Sequence, residues 1–205
     1  MNALEITAVF LTTLVFYLHV KSHLITCDES VLLRATDTEL SAVSDLARTR
    51  QPVLFPAKAD FSNVEPLTFE RANKQLLESF LPRLRTRFLL EKVNPDSFLL
   101  VESAYRHVLF GEATLQLWHP ARLKHSTGLE QNPKQCDNLL LGRCRVLGSV
   151  GPPEIEVVVG TGEAIYIPPY WGYKVVSGNT WQILCYTPLN VLAIKVRAVL
   201  RIIGL

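Results

Sequence analysis

An apolar run at the N-terminal end constrains this chain more than any other feature of its sequence. Residues 3–20 are apolar or weakly polar, and only Glu5 breaks the run. As a helix, residues 2–20 would extend about 28 Å, which matches the hydrocarbon thickness of a bilayer. A helix also satisfies its own backbone polar groups, which lipid cannot do. The run therefore predicts a single transmembrane anchor over residues 1–22, with a membrane interface near Lys21.

Two other interpretations of the run fit less well. A cleaved signal peptide would have a positively charged start and small residues at a cleavage site, whereas this run starts with Glu5 and continues into Tyr-Leu-His-Val-Lys. A buried core helix is the second alternative, although such helices rarely begin at the first residue of a chain. Because Lys21 follows the run and Glu5 precedes it, we expect the rest of the chain to lie on the cytoplasmic side.

The remainder has the composition of one folded domain. Of the 205 residues, 48% are hydrophobic and 20% are charged, a balance typical of globular proteins and not of disordered ones. Roughly 180 residues follow the anchor, enough for one domain with a core. The formal net charge is only +2 and like charges form no long block, so charge does not favour nucleic acid as a partner.

The four cysteines do not identify a compartment. Cys27, Cys136, Cys144 and Cys185 lack the short spacing of zinc or redox motifs. Cys136 and Cys144 could close a small loop in an oxidising compartment. Free thiols are the favoured interpretation.

Short strand-like segments dominate the second half of the chain. Turn residues separate them at positions 111–112, 160–163, 168–169 and 177–179, and the last of these reads as a hairpin signal. Many short strands at regular spacing predict a mainly β fold, a sandwich or barrel of the jelly-roll kind. The strands are predicted at residues 97–102, 105–118, 139–147, 155–159, 164–167, 173–176 and 181–187.

The first half and the C-terminal end are less regular. Residues 51–56 are a β-like run bracketed by prolines, which suits an edge strand. Helical periodicity predicts a short helix over 38–47 and a longer one over 68–81. Residues 191–205 are apolar but basic, and they either pack on the domain, which we favour, or lie on anionic lipid. The chain is thus divided into an anchor (1–22), a linker with a short helix (23–49), a β domain (50–190) and this terminal segment.

One motif in the β domain resembles a known family. Residues 162–175 read Gly-Glu-Ala-Ile-Tyr-Ile-Pro-Pro-Tyr-Trp-Gly-Tyr-Lys-Val. The stretch resembles the C-terminal signature of JmjC-like and related cupin-fold oxygenases: a glycine turn, a strand ending in Ile-Pro, a tryptophan turn, and a strand that starts at a histidine. The resemblance implies a double-stranded β-helix over roughly residues 45–188. In those enzymes the histidine is an iron ligand, and Tyr173 occupies its position here.

The other ligand positions of the family are also changed. Residues 105–120 look like the family's second pair of strands, and the family's spacing from there places its His-x-Asp pair at Phe98 and Leu100. A shift of two residues would offer Glu102 but still no histidine. Such a site needs two histidines and one carboxylate on the same side of the metal. The resemblance therefore implies a cupin scaffold without iron, with no cofactor and no enzymatic activity, and Phe98, Leu100 and Tyr173 are its vestigial positions.

Three histidines remain candidates for a rebuilt metal site. His107 and His119 are expected in paired strands, where they could approach each other, and His125 follows closely. A lone histidine on a strand is more often a structural hydrogen-bond donor, which is the favoured interpretation of all three.

A few further residues have a possible binding role. Arg106, next to Tyr105, could bind an anionic ligand at the mouth of the barrel, although a structural ion pair is the favoured interpretation. Tyr170 and Trp171 could stack on a sugar, but packing of the turn is the simpler explanation. Phosphate-binding loops and nucleophile motifs are not evident in the sequence.

The order of the segments carries a second resemblance. An N-terminal helix is followed by residues 17–27, Tyr-Leu-His-Val-Lys-Ser-His-Leu-Ile-Thr-Cys, and then by residues 50–55, Arg-Gln-Pro-Val-Leu-Phe. This order, with an iron-free cupin domain, is similar to that of membrane-anchored cupin-like proteins of large icosahedral DNA viruses of algae and protists. It implies a virion protein held in the internal membrane, whose domain faces the capsid.

These patterns lead to one expected function and two alternatives. We expect a non-enzymatic, single-pass membrane protein, a minor capsid or inner-membrane component that links membrane to shell. Its expected partners are the lipid bilayer and other virion or capsid proteins, not nucleic acid. One alternative is a membrane-anchored module that binds a sugar or small ligand in an open, partly aromatic cavity. The other is an atypical iron- and 2-oxoglutarate-dependent oxygenase, which would hold metal.

Overall fold

The computed structural model shows a mainly β chain with two sheets and few helices. Three predictions, namely most of the helix over 38–47, the helix over 68–81 and the terminal segment 191–205, lie outside the described residues. The structure describes residues 2–24, 29–36, 46–57, 87–95, 98–101, 106–125, 143–145 and 150–186.

The N-terminal run forms helix α1 (Ala3–Leu24). Glu5, which interrupts the run, has a capping role: its carboxylate accepts a hydrogen bond of 3.0 Å from the backbone N–H of Asn2, while the Asn2 carbonyl accepts from Ile6 N–H at 3.1 Å.

The described apolar side chains of α1 that are large and exposed are those of Ile6, Val9, Phe10, Leu11, Leu14 and Tyr17. The structure describes the side chains of α1 only at residues 5–14 and 17, and no helical stretch within the described side chains is long and apolar enough to cross a membrane.

The first sheet has six strands in the spatial order β1-β2-β9-β5-β11-β3. β1 and β2 are parallel, and the other neighbours are antiparallel. The strands are β1 (Leu33–Arg34), β2 (Val53–Pro56), β3 (Arg87–Val93), β5 (Arg106–Phe110), β9 (Glu163–Tyr166) and β11 (Thr180–Tyr186).

The second sheet has five antiparallel strands in the order β7-β4-β10-β6-β8. Helix α2 (Pro120–His125) follows β6 directly. The strands are β4 (Phe98–Val101), β6 (Ala113–Trp118), β7 (Arg143–Arg145), β8 (Ile155–Val159) and β10 (Gly172–Gly178).

Strands that follow one another in sequence mostly lie in different sheets. The chain alternates between the sheets from β3 to β6 and again from β8 to β11. The predicted hairpin at 177–179 is therefore wrong: β10 pairs with β4 and β6, whereas β11 pairs with β3 and β5. A turn signal indicates that the chain reverses direction but does not say whether the next strand pairs with the previous one or crosses to the facing sheet.

The apolar core lies between the two sheets. β8 shows the pattern most clearly, because its side chains alternate between buried and exposed along the strand. Inner-face residues of both sheets form one cluster, which includes Leu54, Leu89, Leu99, Val101, Leu109, Leu115, Leu117, Ile155, Val157, Ile165, Trp171, Tyr173, Val175 and Leu184. This continuous cluster makes the two sheets one packed unit.

A glutamine side chain attaches the N-terminal part of the domain. The amide of the buried Gln51 donates a hydrogen bond of 2.7 Å to the Glu29 carbonyl and accepts one of 3.0 Å from Val31 N–H, as a neighbouring strand would. Leu33 N–H then bonds to the Pro52 carbonyl at 2.9 Å, and β1 continues alongside β2. β2 therefore has a neighbouring strand on each side, β1 and β9, so the prediction of an edge strand over 51–56 is wrong. β1 itself lies in the segment that was predicted to be a linker.

We predict that Gly178→Ala destabilises the domain by about 2 kcal/mol or more. Gly178 has a φ of 104°, and a Cβ there would collide with the carbonyl oxygen of Glu112 in the facing turn. Gly151→Ala is the matched control, because nothing lies within 4 Å of a Cβ at Gly151. Urea unfolding of both variants measures the difference. Equal stability of the two variants would show that this turn relaxes without cost.

Candidate functional site

Four polar side chains face the space between the sheets, where apolar side chains dominate. They are Glu91 on β3, His107 on β5, Tyr173 on β10 and Gln182 on β11, and we call them the polar quartet. His107 is 2% exposed, Tyr173 and Gln182 are fully buried, and Glu91 is partly buried. Buried polar groups need hydrogen-bond partners to offset the loss of water.

Gln182 is the centre of the quartet. Its side-chain oxygen Oε1 accepts a hydrogen bond of 2.6 Å from the Tyr173 hydroxyl and lies 3.0 Å from Nε2 of His107. Its amide nitrogen Nε2 donates to Oε2 of Glu91 at 3.0 Å. The rings of His107 and Tyr173 lie 5.0 Å apart. One side chain thus connects β3, β5 and β11 of the first sheet with β10 of the second.

The Glu91 carboxylate determines how protons are arranged in the quartet. An ionised carboxylate only accepts hydrogen bonds, so the NH₂ group of Gln182 faces Glu91 and its oxygen faces the other two residues. That oxygen only accepts as well, and His107 therefore carries its proton on Nε2 when it is neutral. Every direct bond among the four residues has one donor and one acceptor.

The strand register puts the three vestigial positions, Phe98, Leu100 and Tyr173, on different faces of the second sheet. Tyr173 lies opposite Leu99 on β4, and both belong to the core between the sheets. Phe98 and Leu100 point to the other face of the second sheet, where they pack with Trp118 and Leu123 of β6 and α2. The structure thus does not bring Phe98 and Leu100 together with Tyr173. The β4 positions that do share its face are Leu99 and Val101, which are also apolar.

The histidines predicted to approach each other are separated as well. His107 lies on β5 of the first sheet, whereas His119 follows β6 of the second, so the prediction of paired strands is wrong. Nδ1 of His119 accepts a hydrogen bond of 3.2 Å from Ala121 N–H at the start of α2, and its ring stands edge-on to Trp171 at 5.1 Å. His119 therefore has a structural contact at a helix N-terminus.

Those remaining candidates whose side chains are described do not form a second site. Trp171 is 1% exposed, which favours packing over sugar stacking, and Tyr170 at the turn has a φ of 71°. Cys185 is buried and is not part of a disulfide. The side chains of His125, Arg106, Tyr105, Cys27, Cys136 and Cys144 lie outside the described residues. Within the part that the structure describes, no group of three or more His, Cys, Asp or Glu side chains is placed to hold a metal ion.

Glu91 and Gln182 were not among the residues singled out from the sequence. A signal existed, because both are polar residues inside apolar strands. Gln182 is two residues from the buried Leu184, and Glu91 is two residues from the buried Leu89 and Val93. A strand repeats every two residues, so this spacing puts both on the inner face.

Comparison with known proteins does not assign the chain to a family. No family model matches the sequence, and no curated protein is significantly similar to it. The assignment of a function therefore rests on the residues and contacts described above.

We predict that Gln182→Leu lowers the free energy of unfolding by about 2–4 kcal/mol, because Tyr173, His107 and Glu91 each lose a partner at a buried position. Gln116→Leu is the matched control, since the Gln116 amide bonds to Glu156 at 2.7 Å on the exposed side of a strand. Its cost should be below about 0.5 kcal/mol. Urea unfolding measures both. Similar costs would mean that the bonds to Gln182 do not stabilise the fold.

Proposed function

We propose that this chain is a non-enzymatic structural protein, anchored to a membrane by α1, whose β domain makes contacts with other proteins. The observation that carries this proposal is the filled interior of the sandwich. Apolar side chains occupy the inner faces of both sheets, and the polar groups among them bond to one another through Gln182. A domain whose interior is filled in this way offers its surface for function.

The arrangement of strands supports a jelly-roll fold of the cupin kind. Its strands alternate between two facing sheets, as they do in double-sheet jelly rolls. A cupin oxygenase would hold its metal against the inner face of the strand that carries Tyr173. In this chain the Tyr173 hydroxyl is bonded to Gln182, and Leu99 and Val101 lie on the same face of β4. This composition favours a structural role over oxygenase chemistry.

The surface of α1 supports attachment to lipid. Its described apolar side chains are exposed, so the β domain does not cover them. The hydroxyls of Thr12 and Thr13 each donate a hydrogen bond of 2.8 Å to a carbonyl one turn earlier, on Ala8 and Val9. Hydroxyls that are satisfied inside the helix do not require water, which is the condition for placing them in a hydrocarbon environment.

The proposed place of the protein is a virion with an internal membrane. The order of anchor, linker and iron-free cupin-like domain supports this, through its similarity to membrane-anchored proteins of large icosahedral DNA viruses. In that setting the chain is a single-pass minor capsid or inner-membrane component, and it links the bilayer to the protein shell. Jelly-roll domains expose rigid loops and sheet faces that suit such contacts.

We predict that Phe10→Lys combined with Leu14→Lys removes the full chain from the membrane fraction. Each lysine near the centre of a membrane helix costs about 2.5–3.5 kcal/mol. Val158→Lys is the control, because Val158 is an exposed apolar residue of the β domain. Flotation with vesicles, followed by carbonate extraction, measures the bound fraction. If the double variant and the control remain equally bound, α1 is not the anchor.

We also predict that the purified full chain holds far less than one equivalent of iron and does not bind 2-oxoglutarate. Among the described residues, the inner face near Tyr173 has one histidine, His107, and one carboxylate, Glu91, so it lacks the second histidine that such a site needs. Elemental analysis and calorimetric titration of one sample measure both properties. Stoichiometric iron with 2-oxoglutarate affinity in the micromolar range would overturn the structural role and favour the oxygenase.

A further inference from the structure

The chain joins the sandwich at one definite end. α1 ends at Leu24, and the Glu29 carbonyl is already held by the Gln51 side chain beside the start of β2. Only residues 25–28 lie between these points, so they are separated by at most about 18 Å, whatever path the chain follows. A membrane at the end of α1 is therefore close to the end of the sandwich where β2 begins.

Several strands share that end, which we call the proximal end. Val53 at the start of β2 lies opposite Tyr166 at the end of β9. At the other side of the first sheet, Arg87 at the start of β3 lies opposite Tyr186 at the end of β11. Because β11 ends there, the chain also leaves towards the apolar, basic segment 191–205 from the proximal end.

Arginine is concentrated at the proximal end. Arg34 and Arg48 are exposed, and Arg50 is partly exposed in the turn before β2. Three further strands that begin at this end each begin with arginine; these residues are Arg87, Arg106 and Arg143.

Acidic residues are distributed differently. Of the described carboxylates near the proximal end, Glu29 and Glu156 are exposed, and Glu154 forms an ion pair of 2.8 Å with Arg122. The opposite, distal end has the turns that contain Glu112 and Glu163. The domain is therefore more basic at the end that the chain connects to α1.

We propose that the proximal end faces the bilayer and that its described arginines, Arg34, Arg48 and Arg50, bind the phosphate groups of anionic lipids. This inference rests on the proposed role of α1 as the membrane anchor. Guanidinium groups bind phosphate oxygens in pairs of hydrogen bonds, and a basic surface held near an anionic leaflet is attracted to it. Both the short connection and the sign of the charge select a lipid surface as the occupant. The distal turns then face away from the membrane, towards a protein shell.

The test uses the full chain in vesicles of phosphatidylcholine, with and without phosphatidylserine. Hydrogen exchange followed by mass spectrometry compares the proximal turn, residues 46–50, with the distal turn, residues 160–163. We expect exchange in the proximal turn to be at least about threefold slower when phosphatidylserine is present. The distal turn should exchange equally in both lipids, and added salt should remove the difference.

A charge reversal identifies the residues responsible. Arg34→Glu combined with Arg48→Glu should abolish the effect of phosphatidylserine on the proximal turn. Lys92→Glu is the matched control, because Lys92 is an exposed cation near the distal end of β3, and it should leave the effect unchanged. If the double variant and the Lys92→Glu control both lose the effect of phosphatidylserine, or if both keep it, the assignment to the proximal arginines is overturned.

Flotation of the same samples separates this inference from the proposed function. If the chain floats with the vesicles but the proximal turn is not protected, or the distal turn is protected instead, the orientation is wrong and the anchor remains. If the chain does not float with either vesicle, the anchor itself is wrong, and the orientation falls with it.

Discussion

Burial of apolar side chains between the two sheets is the interaction on which the β domain depends. Leu109, Leu115, Leu117 and Ile165 are completely buried there, and each such side chain contributes about 1.5–3 kcal/mol relative to an exposed one. A polar group in this space is compatible with the fold only when it is hydrogen-bonded. Gln182 supplies one hydrogen bond to each other member of the polar quartet, because its amide accepts from two donors and donates to a carboxylate.

The filled interior has a direct consequence for function. An enzyme of the cupin type keeps open metal positions within its sandwich, whereas the quartet uses its hydrogen-bonding groups on one another. Tyr173 is central to this difference, since its hydroxyl joins the second sheet to Gln182 on the first. The same position that would bear a ligand in an oxygenase therefore bears a structural hydrogen bond here. In the proposed structural role, function falls to the surface and to α1.

Gln51 connects the two parts of the protein mechanically. Its amide holds the chain that follows α1 beside β2, so the β domain cannot move far from the end of the helix. The short connection of residues 25–28 restricts the distance between α1 and the β domain. In the proposed orientation, the charge of the proximal end turns that end towards the membrane. In the proposed role as a link between membrane and shell, a restricted orientation presents the distal turns consistently outwards.

The sequence by itself determined many local elements of this protein, although it did not predict the strands β1 and β3. The apolar run predicted α1, and alternation predicted strands such as 155–159 and 164–167 to within about one residue, because these signals depend on neighbours in the chain. Only the tertiary structure decided which sheet each strand joins and which face of β4 looks inwards. A shift of one residue exchanges Phe98 and Leu100 for Leu99 and Val101, since strand side chains alternate. The polar quartet could not be assembled from the sequence, because its residues lie up to 91 positions apart. Only strand pairing between distant segments brings them together.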